Sequence, residues 1–308
     1  IQQNKSSEAL ETLISRTAEL KKGSAAIRDI DATDLDSAIA YYEKQKELAE
    51  LGITGIKTGM PGFDDYLPAG IMPGQLGVFL AYPGIGKSWL SLYFAVQAWK
   101  QGKSPMVVSL EMSETEVRNR VFTIMGEGLF SHRKISSGQV DLDELKRWHK
   151  DKVAGRPEFH IISNDSGGEV NPAVLRGKID QYKPDFIIVD YLQLMSPNQK
   201  SESETVRMKN LSRELKLMAI SEEVPIIAIS SATPDDVTKL DTVPTLGQTA
   251  WSRQIAYDAD WVLALGRGTN SDVIECVFRK NRNGFMGEFF IQADFDKGYY
   301  KYRDFEDN

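Results

Sequence analysis

Apolar residues follow a regular alternation through the central part of the chain. Short continuous apolar runs alternate with longer stretches in which apolar residues recur at helical spacing. Continuous apolar strands separated by helices are typical of a parallel sheet covered on both faces, so we expect an α/β fold with a mostly parallel sheet sandwiched by helices. The predicted strands are 76–80, 106–110, 159–162, 186–189 and 226–229, and the predicted helices are 113–126, 142–153, 171–182 and 202–222.

The pattern changes after Asp260, where the turn signals Asn283-Gly284 and Lys297-Gly298 appear. Short apolar runs separated by such dipeptides are typical of strands joined by tight turns. We expect terminal strands and hairpins that extend the sheet. The strand-like residues are 261–265, 273–279 and 288–291.

Two helices are predicted ahead of the sheet, at residues 8–22 and 34–51. Each carries apolar residues along one face, and they end at Gly23 and Gly52. A pair of short helices buries little surface by itself. We therefore expect at least one apolar face to dock on the same chain or on a neighbouring subunit.

Residues 81–88 read Ala-Tyr-Pro-Gly-Ile-Gly-Lys-Ser, between a predicted strand and a predicted helix. Such a loop binds phosphate because its backbone N–H groups and the helix N-terminus both favour an anion. We expect Lys87 to reach the β- and γ-phosphates and the Ser88 hydroxyl to bind Mg²⁺. Ala81 replaces the first glycine of the usual motif, and an ordinary glycine-rich turn is the alternative interpretation. The expected nucleotide-binding residues are Gly84, Ile85, Gly86, Lys87, Ser88 and Trp89.

Two carboxylates follow predicted strands at the same expected edge of the sheet. Asp190 ends one strand, and we expect it to hold Mg²⁺ opposite the Ser88 hydroxyl. Glu111 follows another strand, and we expect it to polarise the water that attacks the γ-phosphate. A role at the start of a helix is the alternative for Glu111, but Ser113 and Glu116 already supply a capping box there.

Five longer motifs occur in order along the chain. They are residues 52–59, 109–113 (Ser-Leu-Glu-Met-Ser), 188–195 (Ile-Val-Asp-Tyr-Leu-Gln-Leu-Met), 258–260 (Asp-Ala-Asp) and 280–284 (Lys-Asn-Arg-Asn-Gly). With these motifs the chain resembles the replicative hexameric helicases of the DnaB family, which have a RecA-like core. The resemblance extends from about residue 34 to the C-terminus, and the run from Asp190 to Met195 is highly specific.

The resemblance implies a ring of six subunits that hydrolyse ATP at their interfaces. By their place in the motif, Lys280 and Arg282 would complete the site of the next subunit, where a cation stabilises charge on the transferred phosphoryl group. Without the other motifs, this stretch would be interpreted as a solvated charged hairpin. The implied parts are 1–33, a helical N-terminal extension or collar remnant; 34–52, a linker helix that packs on the adjacent subunit; and 53–308, a RecA-like ATPase domain.

The chain departs from the family pattern after the strand predicted at 226–229 and ahead of the Asp-Ala-Asp motif. Ser231, the expected phosphate sensor, stands where relatives commonly have glutamine, and it would reach a γ-phosphate only through a water. The arginine that usually precedes the Asp-Ala-Asp motif is displaced to Arg253. Cations on loops are usually solvated, but six copies around a ring would follow a DNA backbone. The candidate DNA contacts are Lys200, Arg207, Lys209, Lys239 and Arg253.

Composition limits the remaining possibilities. The 308 residues are 41% hydrophobic and 26% charged, which suits one large α/β core with an appendage. The net charge of −7 argues against a generally basic nucleic-acid-binding surface. The lone cysteine, Cys276, excludes an internal disulfide. No apolar stretch reaches the length of a membrane span, and residues 1–5 have neither a basic start nor a hydrophobic signal core. We expect a cytoplasmic protein, in the bacterial host if it is phage-encoded.

Three functional hypotheses follow. The first is a homo-hexameric, ATP- and Mg²⁺-dependent replicative helicase of phage or plasmid type that moves on single-stranded DNA, with primase or a helicase loader as further partners. The second is a RecA-type ATPase of recombination or repair. The third is a nucleotide-dependent scaffold with weak ATPase activity, which the replacement at Ser231 keeps open.

Overall fold

The computed structural model describes residues 31–50, 55–164, 168–197, 203–232, 242–246, 255–268 and 272–303. Contacts divide the chain into two compact units, residues 1–53 and 54–308. In the first unit, the described residues contain helix α1 (Leu35–Glu50), close to the helix predicted at 34–51. The helix predicted at 8–22 lies outside the described residues.

A single sheet forms the centre of the second unit. Its strands are β1 (Leu76–Ala81), β2 (Pro105–Ser109), β3 (His160–Ser163), β4 (Phe186–Asp190), β5 (Ile226–Ser231), β6 (Trp261–Arg267), β7 (Val273–Asn281), β8 (Glu288–Asp294) and β9 (Tyr299–Arg303). Within the described residues, these nine strands are ordered β3-β2-β4-β5-β1-β6-β7-β8-β9. In this order, neighbouring strands from β3 to β6 pair in parallel, and neighbouring strands from β6 to β9 pair antiparallel. The predicted mostly parallel sheet is confirmed.

Helices flank the sheet. They are α2 (Pro61–Tyr66), α3 (Lys87–Lys100), α4 (Glu114–Met125), α5 (His132–Ser136), α6 (Leu142–Trp148), α7 (Pro172–Tyr182) and α8 (Glu204–Ser221). A π-helical turn (His149–Val153) continues α6, and a 3₁₀ turn (Leu192–Leu194) follows β4. Helix α3 packs across β1, β2, β4 and β5, whereas α8 packs on β1 and β5 and against α7. Among the described helices, none is long and apolar enough to cross a membrane.

Close packing around Trp261 fixes β1 against β6. Phe63, Phe79 and Trp261 are fully buried, and the rings of Phe63 and Phe79 both contact the Trp261 ring. A Cβ atom added at Gly77 would lie 2.0 Å from Trp261 Cζ2, so only glycine fits at this position in β1. The core thus contains a close approach of strand backbone to an aromatic ring, which is a common reason for glycine inside a strand.

The strand register brings the predicted site residues to one edge of the sheet. Ala81 at the end of β1 pairs with Ser231 at the end of β5, and Ser109 at the end of β2 pairs with Asp190 at the end of β4. Because parallel strands end at the same edge, the loop after β1 and the residues after β2, β4 and β5 converge there.

Candidate nucleotide-binding site

The loop after β1 depends on two glycines. Gly84 has φ +80° and Gly86 has φ +104°, which L-amino-acid side chains rarely allow. Gly86 also lies against Phe295, because an added Cβ would be 2.6 Å from the Phe295 Cζ atom. Ala81 instead is the last residue of β1 and pairs with β5 and β6. The missing first glycine of the motif therefore leaves the loop intact.

Lys87 is folded onto its own loop. Its side chain is 9% exposed, and Nζ donates to the carbonyl oxygens of Ala81 (3.0 Å) and Tyr82 (2.9 Å). Burial lowers the pKa of Lys87 to about 8, and the nearby Asp190 and Glu111 only partly oppose this shift. A buried ammonium group with incomplete charge compensation favours an anion in the adjoining cleft.

Asp190 and Ser88 provide oxygen atoms beside Lys87. Asp190 is 3% exposed, and burial raises the pKa of its carboxyl, while a hydrogen bond with the Ser88 side chain and the charge of Lys87 act in the opposite direction. A carboxylate and a hydroxyl are ligands that suit Mg²⁺, which usually keeps several waters and binds substrate phosphates in addition. The described residues contain no cluster of three or more His, Cys, Asp or Glu side chains that could hold a metal alone. The site therefore fits Mg²⁺ bound together with a nucleotide.

Glu111 lies at the same cleft, two residues after the end of β2. The capping box of α4 is formed without it, because the Ser113 hydroxyl accepts from the Glu116 N–H group and the Glu116 carboxylate accepts from the Ser113 N–H group. Glu111 acts electrostatically on Lys87 and Asp190. It is therefore free to act on a ligand.

The cleft has a volume of about 710 Å³, enough for the triphosphate of a nucleotide. A second cavity of about 590 Å³ adjoins it, and both are lined by Gly84 and Phe295. Together they give room for a nucleoside beyond residues 81–88, which we call the phosphate loop. The residues on the walls of the first cleft include Lys87, Ser88, Trp89, Glu111, Arg120 and Ser231.

Arg120 is a site residue that the sequence interpretation missed. Its guanidinium lies 5.1 Å from the centre of the Trp89 ring, at the wall of the cleft. Burial lowers its pKa, and the charges of Asp190, Glu116 and Glu111 oppose this shift. An arginine in the middle of an amphipathic helix is usually solvated, so the only signal for Arg120 was its spacing from Glu116.

Lys280 and Arg282 lie at the opposite edge of the sheet. Lys280 Nζ donates to the carbonyl oxygens of Ala256 (2.5 Å) and Tyr257 (3.1 Å), and Arg282 donates to Tyr257 (2.9 Å). The Arg282 N–H group also binds the carbonyl oxygen of Asp260, just before β6. The structure does not bring these two cations to the phosphate loop of the same chain.

The candidate DNA contacts have different positions. Lys209 is exposed on α8, whereas Arg207 donates to carbonyl oxygens of its own chain at residues 193 and 195. Ser231 lines the nucleotide cleft at the end of β5. Lys200, Lys239 and Arg253 lie outside the described residues.

Comparison with known proteins places this architecture in a family. Residues 55–304 match the family described as the DnaB-like helicase C-terminal domain. The replicative DNA helicase DnaB of Haemophilus influenzae is 30% identical over 252 residues, which are 77% of this chain and 53% of that protein. The Leifsonia xyli DnaB is 30% identical over 245 residues, covering 75% of this chain and 52% of that protein. The chain thus spans about half the length of the curated relatives it matches.

Solved structures show the same fold. An ATPase domain superposes with a TM-score of 0.76 at 23% identity, covering 88% of this chain and 99% of that domain. A DnaB-like replicative helicase, studied for its interactions with primase, gives a TM-score of 0.72 at 23% identity, covering 97% of this chain and 76% of that chain. Because the family match covers most of the sequence, the chain belongs to the family of DnaB-like helicase C-terminal domains.

Proposed function

We propose that the protein is an ATP-dependent DNA helicase that works as a ring of six copies on single-stranded DNA. The convergence of Lys87, Ser88, Asp190 and Glu111 around one cleft carries the proposal. It is also supported by family membership and by the similarity to replicative helicases.

Each residue of the cleft has a distinct role in the proposed reaction. Lys87 exchanges its contacts with two loop carbonyls for contacts with the β- and γ-phosphates of ATP. Ser88 and Asp190 hold Mg²⁺, which neutralises charge on the phosphate oxygens when it is bound. Glu111 orients and polarises the water that attacks the γ-phosphate. Arg120 provides a further cation at the wall of the cleft.

Lys280 and Arg282 act on the site of a neighbouring copy. A strand rises about 3.3 Å per residue, so the six residues of β1 separate the two edges of the sheet by about 16 Å. Asp260, which holds Arg282, also accepts from the N–H group of Leu76 at the far end of β1 from the phosphate loop. This separation supports an action in trans, in which hydrolysis requires an assembled ring.

Single-stranded DNA would pass through the centre of the ring. Lys209 is exposed and available for phosphate contacts, and we extend the same role to Lys200, Lys239 and Arg253. For Arg207, whose guanidinium is held by contacts within its own chain, we propose that it positions the turn after β4 and does not contact DNA directly. Ser231 lines the cleft and would sense the γ-phosphate through a water.

The first unit would mediate assembly. Helix α1 exposes Leu35, Ile39, Tyr41 and Tyr42, which suits a linker helix (34–52) that packs on the adjacent subunit. We propose that residues 1–33 belong to a reduced N-terminal collar and residues 53–308 to the motor. Primase or a helicase loader would be further partners in a bacterial cytoplasm.

One experiment tests the proposal against the other hypotheses. ATP hydrolysis is measured with and without single-stranded DNA, together with strand separation of a forked duplex, with the Lys87→Ala variant as control. Stimulation with unwinding is expected. Stimulation without unwinding would favour a recombination or repair ATPase, and the absence of both would favour a scaffold.

A further inference from the structure

The Gln193 side chain connects the turn after β4 to the end of β5. Its Nε2 atom donates to the Ser230 hydroxyl (2.9 Å) and to the Ser231 carbonyl oxygen (3.2 Å). Ser231 lines the nucleotide cleft, and Gln193 follows Asp190 by three residues. Gln193 thus touches the strand end that faces the nucleotide and lies close in sequence to the metal-binding carboxylate.

Arg207 connects the same turn to the start of α8. Its Nη2 atom donates to the Gln193 carbonyl oxygen (2.8 Å) and its Nη1 atom to the Met195 carbonyl oxygen (2.8 Å). Its Nε atom donates to the Glu204 carboxylate (2.7 Å), and Nη2 also contacts that group. All three guanidinium nitrogens are engaged, and the side chain is only 18% exposed. We call Gln193 and Arg207 with these contacts the Gln193–Arg207 clamp.

The clamp requires the shape of its two side chains. A planar guanidinium donates in fixed directions and can therefore hold two carbonyls and a carboxylate at once, whereas a lysine ammonium cannot reproduce this geometry. The contact with Arg207 lowers the pKa of Glu204, which keeps the carboxylate charged. The clamp therefore joins residues 193 and 195 to the first turn of α8 as one unit.

Gln193 has one feature that a purely structural residue would avoid. Its Oε1 atom is buried and has no hydrogen-bond partner within the described part of the chain. A buried amide oxygen without a partner is unfavourable and uncommon in proteins. A small movement of the β5 end would change the surroundings of this oxygen and could give it a partner.

We infer that the Gln193–Arg207 clamp couples the state of the nucleotide cleft to the start of α8, and so to DNA-dependent stimulation of hydrolysis. The inference rests on the proposed function. A ligand that shifts Ser231 shifts the Gln193 amide, and the Gln193 and Met195 carbonyls carry the displacement to Arg207 and Glu204. Helix α8 carries the exposed candidate DNA contact Lys209 five residues beyond Glu204. Gln193 and Arg207 are thus positioning residues.

The test compares Gln193→Leu, Arg207→Lys and the double variant in the full chain. Arg176→Lys is the matched control, because Arg176 pairs with Glu222 just beyond the other end of α8, where no clamp contact exists among the described residues. ATP hydrolysis is measured with and without single-stranded DNA, and thermal unfolding confirms that each variant is folded. Gln193→Asn serves in place of Gln193→Leu if the latter does not fold.

We expect both single variants to keep basal kcat and KM for ATP and to lose DNA stimulation by about fivefold or more, a size typical of coupling between linked sites. The double variant should lose no more than either single variant, because both break one connection. Unchanged stimulation, additive losses or an equal fall in basal hydrolysis would overturn the inference. A wild-type protein that hydrolyses ATP without responding to DNA would instead overturn the proposed helicase function, and the inference with it.

Discussion

Arg282 points its guanidinium at the carboxylate of Asp260, with Nη1 3.6 Å from Oδ1. The same carboxylate accepts from the Leu76 N–H group (2.7 Å) and from Lys216 Nζ (2.7 Å). Asp260 therefore ties Arg282 to the start of β1 and to α8, at the sheet edge away from the phosphate loop. An arginine held in this way is presented at the surface of the molecule, since about half of its side chain is exposed.

The first prediction concerns action between subunits. Lys87→Ala should lose ATP hydrolysis because the ammonium group that contacts the phosphates is removed. Arg282→Ala should bind nucleotide normally but lose turnover. Mixing the two inactive variants should restore part of the hydrolysis, because some interfaces then combine an intact loop with an intact Arg282. Steady-state hydrolysis of the mixture, compared with each variant alone, measures this.

The control for this experiment is a mixture of two differently tagged Lys87→Ala preparations, which should stay inactive. Arg282→Ala that hydrolyses ATP at the normal rate would show that the trans role is wrong. A mixture with no regained activity, although both variants assemble into rings, would also contradict it.

The second prediction concerns pH. In the free protein Lys87 has a pKa of about 8, so it is charged below that pH and largely neutral above it. Phosphate groups stay anionic throughout this range and favour the charged ammonium, so nucleotide binding should raise the pKa of Lys87. Affinity should therefore fall as pH rises through 8, and binding above pH 8 should take up a proton.

Calorimetric titration with ATP in buffers of different ionisation enthalpy measures that proton uptake. Lys87→Met should bind more weakly and show a flatter dependence on pH, because the titrating group is removed. Identical proton uptake in wild type and Lys87→Met at pH 8.5 would assign it to another group.

The third prediction separates binding from chemistry at Glu111. Glu111→Gln keeps the size of the side chain but removes the carboxylate that polarises water, so kcat should fall by about 10²–10⁴-fold, the usual contribution of a general base. The Kd for nucleotide should change little, because Lys87 and Ser88 are intact. Glu114→Gln, a conservative change on the next helix, is the control, and comparable losses in both variants would argue against a specific role of Glu111.

Much of the site could be predicted because parallel strands end at one edge. Once 106–110 and 186–189 were identified as strands, Glu111 and Asp190 had to lie near the loop after β1, and the pairing of Ser109 with Asp190 places them there. The assignment of site roles stays a prediction. The order of the strands was not predicted, since apolar runs alone carry no information about neighbours.

The features that could not be predicted from the sequence depend on packing in three dimensions. Helix α2 was missed because its six residues are too few to show a periodic pattern, although it buries Phe63 completely. Arg120 faces the cleft because of how α4 packs beside α3. The partners of Arg207 are carbonyl oxygens, which leave no trace in the pattern of side chains.

The last prediction uses the two glycines of the phosphate loop as a matched pair. An alanine at either position must adopt a left-handed backbone conformation, which should lower the free energy of unfolding by about 1–2 kcal/mol. At Gly84 an added Cβ has no atom within 4 Å, but at Gly86 it lies 2.6 Å from Phe295 Cζ. Gly86→Ala should therefore cost about 1–3 kcal/mol more than Gly84→Ala, because Phe295 must move. Denaturant unfolding without nucleotide measures both, and equal losses would mean that Phe295 yields without cost and does not buttress the loop.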